Sequence, residues 1–410
     1  MNYSASIFVL SFLFLFISSP LVTSQSVLSP TAIQLIEKYC QQNQSVVVGI
    51  VKGDKTDIQG FGQLSRRDKR APDAHTIYEI GALTEVFTTT LLAQQAQLGQ
   101  VELGGKVENR LAATTRIPKY RAQLCYEVTF PTSAEPERLY FCGSDPTAED
   151  ICIRWCDLAT HTSGLKGSFY RAYNWHPLYS KKSSRKPYLN LSAESFYQRL
   201  QQQMLNDAPG KQYQHSNLGI ALLGNALAEV NQTSYFNLLH QQLLTPLFMK
   251  DTRINLTADQ EARLATGHST KLKKVRPNEL VAFAPAGGLK STGHDLVNFM
   301  RANLQTDYTA LQDAFAEVHQ SRIELVQYTA TKSKRSVWMA YGWLVSQLNE
   351  TTNQPVVWQS GGTNGFRAYM GFVKDTQTGV VILSNTAKNV EELGFELLEI
   401  LHQKEDLSQR

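Results

Sequence analysis

Tyr78-Glu-Ile-Gly-Ala-Leu-Thr-Glu-Val-Phe87 is the stretch on which the fold turns. It passes through Gly81 into a helix expected over 85–98, which Gly99 ends because glycine takes the left-handed C-cap conformation without strain. Upstream, Ser29-Pro30 forms an N-cap and first-turn pair, with Ile33, Leu35, Ile36 and Tyr39 at helical spacing behind it. The β-branched run 45–51, the turn Gly53-Asp54-Lys55 and the run to Gly60-Phe61-Gly62 then read as a hairpin. Downstream, 103–278 alternates helices (198–205, 218–230, 235–244) with polar loops. Strands return at 342–347, 355–358, 367–374 and 379–385, before an amphipathic helix over 390–402. Strands at both ends with helices between predict an α+β fold. Its antiparallel sheet is built from both chain ends (about 25–80 and 285–405), and a mostly helical lobe (about 81–284) is inserted, with a ligand cleft between the lobes.

Composition narrows the classes. Residues 1–24 carry no charge and hold an apolar run over 7–17, then Ser18-Ser19-Pro20, so a secretory signal peptide cleaved near Ser24 is expected. The mature domain, 25–405, is then secreted or extracellular, or periplasmic if the host is bacterial. No later stretch is long and apolar enough to span a membrane. The net charge of +4 is mild. The basic clusters at Arg66, Arg67, Lys69 and Arg70, at 181–186 and at 271–276 lack interleaved aromatics and read as solvated loops, so no nucleic-acid partner is expected. Cys125, Cys142, Cys152 and Cys156 crowd one segment, and Cys40 stands apart. One or two local disulfides with one cysteine left over are expected, the pairing open. No CxxC spacing supports zinc, and no metal or cofactor is expected. Asn43, Asn190, Asn231, Asn255 and Asn349 begin sequons that permit glycosylation in a eukaryotic host.

Five further strings accompany the first, in order. They are Leu158-Ala-Thr-His-Thr-Ser-Gly-Leu165, Pro209-Gly-Lys-Gln-Tyr-Gln-His-Ser-Asn-Leu-Gly219 and Pro246-Leu-Phe-Met-Lys-Asp-Thr252, then Ala284-Pro-Ala-Gly-Gly-Leu-Lys-Ser-Thr292 and Trp358-Gln-Ser-Gly-Gly-Thr-Asn-Gly-Phe366. Over nearly the whole mature chain the sequence thereby resembles the β-lactamase-related serine hydrolases: class C β-lactamases, penicillin-binding proteins, DD-peptidases and related esterases. That resemblance implies a Ser-x-x-Lys pair at the start of a buried helix, a Tyr-x-Asn motif, and a Lys-Thr-Gly or His-x-Gly edge strand whose backbone completes an oxyanion hole.

At the matching positions stand Ala82, Glu85, His215-Ser216-Asn217 and Gln359-Ser360-Gly361. Alanine has no nucleophilic atom, and glutamate reverses the charge the mechanism needs beside it. The resemblance therefore implies a degenerate member that binds or regulates rather than acylates. Asn217, Ser216, Ser360 and Gly361 are expected around a small-molecule or peptide ligand. The alternative is a retooled enzyme using Glu85 and His215 as an acid/base pair; ahead of that use stands the plainer one, a buried ion pair that replaces the lost Lys–Tyr contact and fixes the cleft. Ser216 and Ser360 are expected as hydrogen-bonding groups rather than substitute nucleophiles. His161 is expected as a local hydrogen-bonding residue of its turn, while His75, His240 and His294 show no metal-ligand spacing. Phe169, Tyr170, Arg171, Tyr173, Trp175 and Tyr179 are expected either to wall the cleft or to pack on the helical lobe.

Overall fold

Val46, Val48 and Ile50 of one short strand enter one hydrophobic cluster, while Val47 and Val51 enter another. Side chains alternate along a strand, so such an unbroken apolar run means that both faces of the sheet are covered. The computed structural model describes residues 26–40, 45–65, 67–130, 137–168, 191–305, 310–325, 336–349 and 354–408. The expected signal peptide, the aromatic stretch 169–179, the basic cluster 181–186, and the sequon residues Asn43 and Asn190 lie outside them.

The elements run in this order: α1 (Pro30–Cys40), β1 (Ser45–Lys52), β2 (Lys55–Gly62), β3 (Ile77–Glu79), a 3-10 turn (Gly81–Leu83) and α2 (Thr84–Gln97). Then come β4 (Gln123–Phe130), β5 (Glu137–Ser144), α3 (Trp155–Ala159), α4 (Ala193–Leu200), α5 (Asn217–Val230), α6 (Tyr235–Leu239), α7 (Ala258–Ala262) and α8 (Ala284–Gly287). The chain closes with β6 (Lys290–Thr292), α9 (Gly293–Leu304), α10 (Gln312–Val318), β7 (Ile323–Leu325), β8 (Val337–Met339), β9 (Leu344–Gln347), β10 (Pro355–Gly362), β11 (Arg367–Val373), β12 (Thr378–Ser384) and α11 (Glu391–Ser408).

Eight strands form one antiparallel sheet in the order β2-β1-β12-β11-β10-β9-β8-β7, so the two chain ends meet where β1 pairs with β12. Helices α1 and α11 cover one face, where Leu397 and Leu398 pack with Trp358 and Ile382. On the other, α9 lies over β1 and β12 and joins the larger cluster that continues through α2 and α5. There Phe87 stacks on Phe299 with ring centroids 4.1 Å apart. The α+β class with a large antiparallel sheet is the architecture the sequence predicts.

Several boundaries differ from expectation. The helix expected over 198–205 is α4 at 193–200, because Ser192 caps it by accepting the Ser195 N–H at 3.2 Å; the glutamine run beyond Leu200 turns instead. The helix over 235–244 is α-helical only as α6 and then widens into a π-helical turn over His240–Leu244. Strand β10 runs on to Gly362 rather than stopping at 358. Helix α9 lies outside the expected elements, although Thr292 caps it by accepting the Asp295 N–H and Leu296, Val297, Phe299 and Met300 supply its buried face.

Cys125 and Cys142 sit directly opposite one another in the β4–β5 hairpin and form a disulfide. Cys40, Cys152 and Cys156 are free thiols, so one bridge forms and three cysteines, not one, are left over. Cross-strand neighbours alone bring two sulfurs of this segment into bonding reach.

Candidate active site

The site is built where β10 runs against the start of α2. Gly81 has φ +53°, and a side chain there would meet the Gly362 nitrogen at 2.6 Å. At Gly361 a Cβ would lie 1.9 Å from the Ile80 carbonyl oxygen and 3.0 Å from the Ala82 nitrogen. Only glycine backbone allows so close an approach. Ala82, half-buried in the turn, is one helical turn ahead of Glu85.

Glu85 is wholly buried in the first turn of α2. Its Oε2 lies 3.0 Å from His161 Nε2, and its Oε1 lies 3.4 Å from His215 Nε2. The two imidazoles stack with centroids 4.5 Å apart. His161 is buried, whereas the His215 side chain is 48% exposed. The Ser216 backbone N–H donates to His161 Nδ1 at 3.1 Å. A backbone N–H can only donate, so Nδ1 carries no proton, and the Nε2–H of a neutral His161 donates to Glu85.

Burial alone would push the Glu85 carboxyl up, but the facing His161 and His215 outweigh it and hold it down to about 2. Burial prevails at His161 and lowers its pKa despite Glu85. At His215 burial also acts downward, yet the Glu85 carboxylate more than offsets it and the pKa is raised. The pair facing the cleft is therefore an ionised carboxylate with an imidazole that charges readily, braced by one that does not.

Glu85, His161 and His215 offer ligand atoms within 4.8 Å of one another, the spacing of a metal triad. The His161 hydrogen bond argues against that use. A metal on Nε2 would drive the proton to Nδ1, where it would face the Ser216 N–H; ligating histidines instead point that N–H at an acceptor.

The other expected residues separate into engaged and open. Ser216 caps α5: its hydroxyl accepts the Gly219 N–H at 2.9 Å and donates to the Lys166 carbonyl at 2.7 Å. It is buried there and does not line the cleft, contrary to its expected place beside a ligand. Gln359 donates to the Gly342 carbonyl at 2.6 Å and accepts the Ser360 N–H at 2.8 Å, so it ties strand to turn where a basic group would reach outward. The Ser360 hydroxyl is bonded to Glu391 Oε1 at the start of α11. Asn217 is exposed, with its side chain open to the cleft.

A cavity of about 540 Å³ opens over this floor, bordered by Ala82, Asn217, Ser360, Gly361, Arg367 and Glu391. A second, of about 250 Å³, shares Ala82 and Ser360 with it and is lined by His161, Tyr213, His215 and Gln359. Burial raises the Tyr213 hydroxyl to about 12, with Glu85 adding to the effect. The Beta-lactamase family model matches residues 32–403.

The chain belongs to the β-lactamase family.

Among its relatives, a β-lactamase of Providencia stuartii is 24% identical over 370 residues, covering 84% of this chain and 83% of that one. The D-alanyl-D-alanine-carboxypeptidase/endopeptidase AmpH of Escherichia coli K12 is 23% identical over 340 residues, covering 82% and 77%. In structure, the class C β-lactamase of Rhodobacter sphaeroides superposes with a TM-score of 0.68 at 20% identity, over 91% of this chain and 99% of that one. Within this β-lactamase frame the structure brings Glu85 and His215 together as the sequence expects, and adds His161, whose string alone presents it as a local residue of its turn. Its bond to Glu85 joins positions 76 apart in the chain, and no spacing rule signals such a contact.

Proposed function

We propose that this chain has left the covalent serine route and uses the inherited cleft to hold a small molecule or short peptide without acylation. One observation carries the reading: an open cavity rests on Ala82 while the neighbouring hydroxyls and the third-motif side chain are committed to protein partners. Without a nucleophile at 82, loss of several orders of magnitude in acylation rate follows. The uncharged leader with its apolar run and the Cys125–Cys142 bridge support export to an oxidising compartment. Purified protein treated with a fluorescent penicillin and with a fluorophosphonate should show no mass adduct by intact mass spectrometry, and a stoichiometric adduct would overturn the reading. Ligand recovered from the native protein should leave on denaturation with unaltered mass.

A further inference from the structure

We propose that His215 is a general base presented to the cavity above Ala82, giving the cleft a water-borne hydrolytic activity toward small acyl esters. The inference rests on the reading that the cleft holds its ligand non-covalently.

The geometry is directional. The Ser216 N–H fixes His161 with its proton on Nε2, and that proton is given to Glu85 Oε2. Oε1 makes no hydrogen bond of good geometry, and His215 Nε2 stands 3.4 Å from it as an ion-pair partner. The carboxylate charge beside Nε2 favours the neutral His215 tautomer with its proton there, which leaves the lone pair on Nδ1. Among the described residues no group is hydrogen-bonded to Nδ1, and the half-exposed ring lines the same cavity as Ala82. A buried carboxylate that orients an imidazole and stabilises its protonated form is the arrangement general-base catalysis needs. The methyl group of Ala82 leaves free the space above it.

Each step balances with water as the only co-reactant. His215 Nδ1 takes a proton from water as the water oxygen bonds to the acyl carbon, and the carbonyl π pair moves onto its oxygen. The backbone N–H of Ala82, which borders the cavity, is the donor assigned to that oxyanion. The intermediate collapses, the carbon–alkoxide bond breaks with its electron pair on the alkoxide, and imidazolium returns its proton to that oxygen. Alcohol and carboxylic acid leave. Among the described residues, the polar side chains that border this cavity with His215 are His161, Tyr213, Gln359 and Ser360, the Glu85 carboxylate stands at its Nε2, and no Lys or Arg borders it.

The test is p-nitrophenyl acetate hydrolysis by the full chain, followed from pH 5 to 9. Expected are turnover above buffer with no burst, no acetyl adduct by mass, and kcat/KM rising with pH as His215 loses its proton. His215→Gln should lower kcat/KM at least about 100-fold with unchanged circular dichroism. Glu85→Gln removes the charge that favours imidazolium, so its profile should move to lower pH, a shift no merely structural role produces. Turnover no faster than buffer, an unchanged rate in His215→Gln, or an unmoved profile in Glu85→Gln would each overturn the inference. An acetyl adduct would overturn the non-covalent reading as well, whereas absent turnover without an adduct leaves that reading standing.

Discussion

Glu85 sets how the folded molecule responds to acid. Its carboxyl is held at about 2 against an ordinary 4.5, so it contributes stability that is present above pH 4.5 and lost as pH falls toward 2. By linkage that is on the order of 3 kcal/mol. His161 acts in the same direction, since the unfolded chain takes up a proton below its ordinary 6.5 that the buried ring resists. His215 acts oppositely: its contribution is complete below 6.5 and lost as pH rises through its raised folded value. Solvent screens that half-exposed ring, so its effect is small. Thermal unfolding measured between pH 3 and 7 should show a steep acid fall. Glu85→Gln should flatten the part below pH 5, and an equally steep curve in that variant would contradict the assignment.

At the scale of elements, the disulfide-braced hairpin β4–β5 forms its own two-stranded sheet apart from the eight-stranded one. A lone hairpin is marginal in water, so the bridge stabilises the hairpin rather than the domain. Replacing Cys125 and Cys142 with serine should open 123–144 to limited proteolysis and leave the main unfolding transition nearly in place. A large drop in that transition would show that the hairpin belongs to the core.

Which elements could be read beforehand follows from punctuation. Ser29-Pro30 and Gly53-Asp54 marked α1 and the β1–β2 turn, and β1 and β12 stood out as apolar runs. Helix α9 was hidden because its cap follows β6 without a loop, so strand and helix merged into one string. At the site the positions themselves were legible, since the strings around 82, 215 and 359 are intact. The commitments of Ser216, Gln359 and His161 were not, because each depends on a partner distant in sequence.

For the whole molecule, one sheet carries two separate apolar layers, and the cleft depends on both. Strand β10 sends Trp358 into the layer under α11 and Val357 into the layer under α2 and α9, while its glycine end borders the cavity. Leu398, fully buried in α11, lies far from Ala82 in sequence yet secures the strand that forms the cleft wall. Leu398→Ala should cost about 2–5 kcal/mol, read as a lower denaturation midpoint with an unchanged slope. A change below about 1 kcal/mol would mean that the α11 layer is not an integral part of the fold.

The pairing of β1 with β12 also has a kinetic side. Strand β1 must wait, both faces apolar and one edge open, until the long stretch up to β12 has followed before its partner exists. Contacts so distant in sequence close slowly, and an unpaired apolar edge is the part of a nascent chain most prone to stick to its neighbours. Completion of the sheet therefore waits on β12, and a chain released before it would carry an adhesive β1–β2 hairpin and no finished cleft.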